Sequence, residues 1–238
     1  MPPDFSIVVL CYHATNETRH FVQEVISELA SVAVSWELIL VGNYLQGDTD
    51  DTTPEFVREM ASLDPRIKTL TGVKRGMMGW DARRGLAAAS GNVVAFVDGD
   101  GQMPANDLIR VYETLRAGNF DMVKTYRAAR NDGLLRRANS IAYNAVYRVL
   151  FPGYRVRDVN SKPKGFTRKF LERLTLASDD WFLDAEIMIQ ARRLNCRLKE
   201  IPTIFHEIKG RRSFVRATHI VEFLRNLSTA RIKEFLPR

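Results

Sequence analysis

Three short runs of the chain, Ile7 to Leu10, Leu38 to Val41 and Val93 to Val97, are continuously apolar and rich in β-branched residues. Runs of this kind suit strands buried on both faces of a parallel sheet, where neither face leaves room for polar alternation. Weaker strand patterns cover Arg66 to Leu70, Asp121 to Tyr126 and Arg197 to Ile201. Between the strands, Phe21 to Val32, Glu55 to Leu63, Leu108 to Leu115 and Glu186 to Leu194 show apolar residues at helical spacing. Alternating strands and helices predict an α/β fold with a mainly parallel sheet flanked by helices, and ligand sites beyond the carboxyl ends of the strands. After Asp121 the pattern changes to an Arg-rich helical stretch from Leu134 to Phe151, an irregular segment through Lys164, another helix, and an amphipathic stretch from Phe214 to Phe235. The predicted organisation is one domain over residues 1–212 and a basic, amphipathic C-terminal helix over 213–238.

Composition narrows this picture. The chain has 238 residues, 45% of them hydrophobic, enough for one substantial core. Lys and Arg outnumber Asp and Glu by 35 to 28, which favours anionic partners. The excess is concentrated late: residues 124–173 hold thirteen basic and three acidic side chains, and 209–238 hold eight and two. Met1-Pro2-Pro3-Asp4 leads straight into the first apolar run, without the features of a secretory signal, so a cytoplasmic location is expected. No apolar run has the ~18 residues of a spanning helix, which makes any membrane contact peripheral or through a partner. Cys11 and Cys196 read as ordinary buried thiols. The four histidines make no zinc spacing.

The strongest chemical signal is Val93-Val94-Ala95-Phe96-Val97-Asp98-Gly99-Asp100-Gly101. An apolar strand delivers two carboxylates, one residue apart, to the ligand edge of the sheet. Hard oxygen donors suit Mg²⁺ or Mn²⁺, whose remaining positions accept diphosphate oxygens, and the intervening glycine would leave space for the ligand. An isolated Asp-Gly-Asp reads first as a polar turn, with Asn106 or Asp107 capping the next helix; the preceding strand and the pattern around it shift the reading to ligands. Lys74 and Arg75, followed by Gly76-Met77-Met78-Gly79, read either as a diphosphate-binding loop or as a solvated basic one. Asp48 to Thr52 could simply cap the helix that begins near Pro54. Asp184 reads as an N-cap, with Glu186 in the favourable first turn.

Lys74-Arg75-Gly76, Arg84-Gly85-Leu86-Ala87-Ala88-Ala89-Ser90-Gly91 and Val93 to Pro104 together resemble the inverting family-two glycosyltransferases of GT-A fold. Val156-Arg157-Asp158-Val159-Asn160-Ser161 with Gly165-Phe166, and Phe182-Leu183-Asp184-Ala185-Glu186 with Glu200-Ile201-Pro202, extend the resemblance over nearly the whole chain and bring it nearest to the polyprenyl- and dolichyl-phosphate sugar synthases. The resemblance implies a Rossmann-like sheet and inverting transfer of a sugar from a UDP- or GDP-linked donor to a polyprenyl phosphate. It implies that Asp98 and Asp100 hold Mg²⁺ or Mn²⁺, and that Tyr12, Glu17, Asn43, Asp50, Lys74, Arg75, Arg84 and Asp98 line the nucleotide-sugar site. It also places Asp184 and Glu186 beside the acceptor, and Arg136, Arg137, Arg157 and Lys162 are offered to the acceptor phosphate. The chain departs from the family pattern after the first strand, where Leu10-Cys11-Tyr12-His13-Ala14-Thr15-Asn16-Glu17 replaces Pro-x-Tyr-Asn-Glu. It departs again after the second, where Gly42-Asn43 replaces an acidic pair.

A lipid phosphate is anionic near neutral pH and needs no strong general base; a glycan hydroxyl, the alternative acceptor, would need one, with Asp184 or Glu186 the first candidates. A non-catalytic nucleotide- or membrane-binding module is the alternative from another class. Nucleic acid is not an expected partner, since no helix-turn-helix, zinc or aromatic RNA-binding signature accompanies the charge. Neither Gly-x-Gly-x-x-Gly nor Gly-x-x-x-x-Gly-Lys-Ser/Thr occurs. Leu134, Leu135, Ile141, Val146, Val149, Leu150 and Phe151 interleave with Arg136, Arg137 and Arg148, and Val221, Phe223, Leu224 and Leu227 adjoin Arg216 and Arg225. Such basic amphipathic stretches fit an anionic membrane surface at the cytoplasmic face; packing on the sheet is the alternative. Room is left for a homo-oligomer or a membrane-protein partner.

Overall fold

The computed structural model describes residues 1–130, 134–206, 225–232 and 234, with the side chains of 130–136 outside that description. The apolar runs become strands β1 (Phe5–Leu10), β2 (Trp36–Val41) and β4 (Val93–Asp98), with β3 (Ile67–Leu70) beside β2. Helices α1 (Asn16–Ala30), α2 (Thr53–Leu63) and α4 (Asn106–Ala117) fall where helical spacing predicts them. Two elements are not legible in the apolar pattern: α3 (Met78–Ala88), and β6 (Lys164–Thr167) at the end of the stretch read as irregular. The second half adds β5 (Met122–Arg130), α5 (Leu134–Leu150), α6 (Arg168–Leu171), α7 (Leu183–Arg193) and β7 (Leu198–Phe205).

The strands form one sheet of seven in the order β3-β2-β1-β4-β6-β5-β7. β6 alone runs antiparallel, against β4 on one side and β5 on the other. Parallel pairing of β1 with both β2 and β4 brings Leu10, Val41 and Asp98 to the same edge. All six residues of β1 and of β2 are buried, as uninterrupted apolar runs require. Two apolar clusters cover the faces of the sheet. One joins Phe5, Ile7 and Val9 to α1, α2 and α4; the other joins Val8, Phe96 and Phe166 to α3, Tyr147, Phe151 and α7. α3 can approach the sheet because of Gly85, where a Cβ would lie 2.3 Å from Val8 Cγ1.

α5 presents Tyr147 to the second core, with Phe151 buried just beyond its end, while Ile141 and Val149 remain on the surface, 58% and 79% exposed. The stripe expected from the sequence is therefore divided between a core face and an outward face. Part of the C-terminal stretch is also docked. Leu227 is buried in the second core, and Glu234 accepts from the Arg192 guanidinium at 2.7 and 2.6 Å. Arg216, Val221, Phe223 and Leu224 lie outside the described residues. Among the described residues no helix is long and apolar enough to cross a membrane. Cys11 and Cys196 are both buried and free, and burial pushes each thiol up to about 12.

Candidate active site

The strand ends on the carboxyl edge of the sheet build the site. β4 delivers Asp98 on its last residue, and the turn that follows places Asp100, whose carboxylate accepts from the Gln102 amide at 3.0 Å. Gly99 has a packing reason that differs from the one expected. Its amide donates to Leu10 O at 2.9 Å, and a Cβ there would fall 2.9 Å from Val9 Cγ1 and 3.0 Å from Leu10 O. The glycine lets the turn press against the end of β1 and thereby fixes the two carboxylates.

Behind Asp98 lies a buried group of charges. Lys162 Nζ is 3.1 Å from Asp98 Oδ2 and 2.9 Å from Asp184 Oδ2, and Lys164 pairs with the other Asp184 oxygen. Lys164, Lys162 and Asp184 have almost no solvent contact, whereas the Asp98 side chain is 41% exposed. Burial opposes the charge on Lys162, but Asp184 and Asp98 outweigh it and hold the ammonium protonated above its ordinary range. Lys164 has the Asp184 carboxylate but not Asp98; burial, with Lys162 and Lys124 close by, brings it down to about 7. Burial likewise disfavours the Asp184 anion, yet its two lysines keep its pKa below the usual carboxylate range. Asp98 moves the other way: partial burial raises it, Lys162 opposes, and Asp100 and Asp184 add to the rise.

Beside this group Lys124 is fully buried, bonded to Thr125 O at 2.7 Å, to Asp158 O and to Glu200 Oε1 at 3.2 Å. Arg127 grips Asp158 through Nε at 2.6 Å and Nη2 at 2.8 Å. These bonds hold the 156–162 segment to β5 and β7, and so set the position of Lys162. Sequence reasoning missed Lys124, Arg127 and Lys164; a charged residue inside a strand pattern is the signal that marks them, since buried lysines require partners.

A second group forms around α3 and the ends of β1 and β2. Asn43 is buried, donates to Asp81 Oδ1 at 2.8 Å and accepts from Arg84 Nη1 at 3.0 Å. Lys74 pairs with the other Asp81 oxygen and stands over the Tyr12 ring at 4.3 Å. The structure thus brings together four expected residues, Tyr12, Asn43, Lys74 and Arg84, around Asp81, which the sequence did not single out. Lys74 is not a solvated loop residue; its side chain is 5% exposed. Burial raises the Asp81 carboxyl against the pull of Lys74.

The other expected residues are less central. Arg75 and Asp50 are exposed, and the Asp50 amide donates to Asp48 Oδ1 at 3.3 Å. Glu17 is exposed on a groove shared with Phe21, Asp100, Met103, Asn106 and His206. His206 is a further residue that the sequence did not mark; its amide donates to Gln102 O at 2.9 Å. Arg157 is exposed, with its guanidinium 4.6 Å from the centre of the Tyr126 ring and its amide donating to Glu200 Oε2 at 2.8 Å. Arg137 is exposed on α5, and the Arg136 side chain lies outside the described residues.

Two capping expectations are corrected, while Glu186 does lie in the first turn of α7. The N-cap of α7 is Phe182, so Asp184 lies inside the first turn and its side chain serves the lysines instead. Glu186 accepts from the amides of Ala177 at 3.0 Å and Ser178 at 2.9 Å, fastening the loop that packs on Gly76 and Gly79. The N-cap of α4 is Ala105, and Asp107 is engaged by Arg110 and Thr203.

A seven-stranded sheet with one antiparallel insertion, and paired carboxylates where β4 leaves it, is the GT-A architecture. Residues 6–195 match glycosyl transferase family 2, and the chain belongs to that family. It is similar to glycosyltransferase AglD of Haloferax volcanii, 28% identical over 207 residues that make up 84% of this chain and 32% of that protein. It is similar also to the dolichyl-phosphate beta-glucosyltransferase of Saccharomyces cerevisiae, 25% identical over 86% of this chain and 67% of that protein. The match therefore spans about a third of the first relative's length and about two thirds of the second's. Among solved structures, glucosyl-3-phosphoglycerate synthase of Mycobacterium tuberculosis superposes with a TM-score of 0.70 at 19% identity, over 99% of this chain and 82% of that one. The same enzyme in complex with Mn²⁺, UDP and phosphoglyceric acid gives 0.67 at 19% identity, over 99% and 80%. These likenesses establish the fold.

Proposed function

We propose that the protein transfers a sugar, with inversion, from a UDP- or GDP-sugar to a polyprenyl phosphate, with Asp98 and Asp100 holding a divalent cation. One observation carries this reading: the carboxylates that leave β4 stand at one end of a buried ion network, Asp98–Lys162–Asp184–Lys164, that reaches the first turn of α7. The hard-oxygen pair fits Mg²⁺ or Mn²⁺, and Asp98 keeps an opening to solvent while its partner Lys162 does not. Bound there, the cation would neutralise charge on the leaving diphosphate. Tyr12, Asn43, Lys74 and Arg84 belong to the donor side. Lys74 and Arg84 supply two cations on that side, which suit an anionic ligand.

The acceptor argument is chemical. A carboxylate locked between Lys162 and Lys164, with its pKa lowered, is a poor proton acceptor. That favours an acceptor that arrives already anionic, as a lipid phosphate does, over a hydroxyl that must be deprotonated. The relatives are in keeping with this: dolichyl-phosphate beta-glucosyltransferases and an undecaprenyl-phosphate 4-deoxy-4-formamido-L-arabinose transferase. Arg157 and Arg137 are the exposed cations we assign to the acceptor phosphate, with Arg136 beside them in sequence. The outward face of α5, with Arg137, Ile141, Arg148 and Val149, would rest on an anionic membrane surface. Product analysis with polyprenyl phosphate and with glycan acceptors, under a panel of UDP- and GDP-sugars, tests the proposal. Transfer to a glycan hydroxyl, with none to the lipid phosphate, would refute it.

A further inference from the structure

We propose that His13, Asp48 and Asp51 form a second divalent-cation site, of Zn²⁺ type, separate from Asp98 and Asp100. Each of the three side chains offers a ligand atom, and these atoms lie within 4.8 Å of one another. His13 follows β1, whereas Asp48 and Asp51 lie in the loop between β2 and α2, so the cluster joins two segments distant in sequence. His13 Nε2 is 3.2 Å from Asp48 Oδ2. Two ligands on one tetrahedral Zn²⁺, each about 2.0–2.1 Å from the metal, stand roughly 3.3 Å apart. The observed spacing is close to that.

Asp51 supplies the independent indication. It is 7% exposed, and its Oδ1 accepts from the Thr53 amide at 3.0 Å and from the Thr53 hydroxyl. Its Oδ2 is enclosed and has no hydrogen-bond partner among the described residues. An enclosed carboxylate oxygen without a donor is costly, and a cation removes that cost. A His13–Asp48 ion pair at the surface would account for two of the three residues but not for this oxygen.

The backbone is arranged to the same end. His13 has φ 47°, in the left-handed region that a non-glycine residue seldom adopts. Its neighbours hold it there: the Cys11 amide donates to Val41 O at 2.8 Å, and the Ala14 amide to Thr53 Oγ1 at 2.7 Å. Thr53 thus accepts from the turn that carries His13 and donates to Asp51. One imidazole nitrogen and two carboxylate oxygens suit Zn²⁺, with a fourth position for water or ligand. A cation there would pin the 42–52 loop to the turn that carries Tyr12.

The test is Co²⁺ and Zn²⁺ titration of the full chain carrying Asp98→Asn and Asp100→Asn, followed by visible absorption and calorimetry. We expect one equivalent of Co²⁺ with four-coordinate bands, and at least about tenfold weaker binding when His13→Ala or Asp48→Asn is added, since even outer contacts to a metal carry that factor. In the otherwise native protein, Zn²⁺ should raise the Tm, and His13→Ala should reduce that rise by the share that this site contributes beside Asp98 and Asp100; this reading does not require the double variant to fold. Absence of uptake in a folded double variant, affinity unchanged by His13→Ala and Asp48→Asn, or a Zn²⁺-induced rise that is undiminished in His13→Ala would each overturn the proposal. None of these outcomes depends on transferase activity, so a failure of the proposed reaction is read separately.

Discussion

Lys162 places its ammonium 3.1 Å from the Asp98 carboxylate while itself remaining almost wholly buried, so the first carboxylate of the Asp98 and Asp100 pair is tied from behind by an internal cation. The same ammonium reaches Asp184 at 2.9 Å. Replacing it with a neutral chain of similar volume, Lys162→Met, leaves Asp98 and Asp184 to repel one another. Breaking a buried pair costs about 3–5 kcal/mol, and the lower end applies here because Asp98 keeps contact with solvent. Denaturant unfolding should show that loss, and Mn²⁺ should recover more stability in Lys162→Met than in the native protein. Equal stabilisation of both by Mn²⁺ would dissociate the metal from Asp98.

Gly99→Ala tests the packing that fixes the carboxylates. The added methyl meets Val9 Cγ1 at 2.9 Å and Leu10 O at 3.0 Å, and the second of these is backbone that cannot rotate away. Overpacking of this sort costs about 1–3 kcal/mol. Metal-supported donor binding should fall by more than the stability change predicts, because the turn carrying Asp100 has to shift. A variant with native donor affinity would show that the close approach of the turn to β1 is not needed.

Glu37 gives an acid-stability prediction away from the site. Its carboxylate accepts from Ser6 Oγ at 2.5 Å, Ser90 N at 2.6 Å, Ser90 Oγ at 2.8 Å and Lys68 Nζ at 2.5 Å. Burial opposes the charge, but these donors prevail and bring the pKa from 4.5 to about 2. A carboxyl depressed in the folded state binds fewer protons there than in the unfolded chain, so its contribution is complete above 4.5 and is lost as pH falls towards 2. Glu37→Gln should therefore remove on the order of 2 kcal/mol at neutral pH and flatten the fall in stability across that window. Parallel pH–stability curves for variant and native protein would contradict the assignment.

The outward face of α5 predicts lipid dependence. Ile141→Asp with Val149→Asp alters two exposed side chains and should leave the Tm nearly unchanged. Cosedimentation with anionic vesicles should weaken in this variant and, in the native protein, with rising salt. Indifference to both would assign α5 a role away from the membrane.

The parallel core was legible because β1, β2 and β4 are buried on both faces and their apolar runs have no interruption. β6 was not, because Lys164 inside it satisfies a buried carboxylate, and a charged strand residue breaks the apolar pattern. α3 was hidden by Gly79 and Gly85, residues that normally disfavour helix but here permit close approach to the Ser178–Asp180 backbone and to Val8. At the site, strand and spacing drew notice to Asp98 and Asp100, and the resemblance to the family-two transferases was needed to prefer ligands over a polar turn. Lys162 was expected only at the acceptor phosphate, and Asp81 and Lys164 were not expected at all; their roles depend on partners 38 or 20 residues away.

The most direct measurement of the central claim is Mn²⁺-dependent transfer from a labelled nucleotide-sugar to polyprenyl phosphate, comparing the native protein with folded Asp100→Ala. The account predicts a lipid-phosphate-linked sugar of inverted anomeric configuration, formed only with the divalent cation and lost by at least about a hundredfold in the variant. Transfer that proceeds equally without the cation, or undiminished in Asp100→Ala, would contradict it.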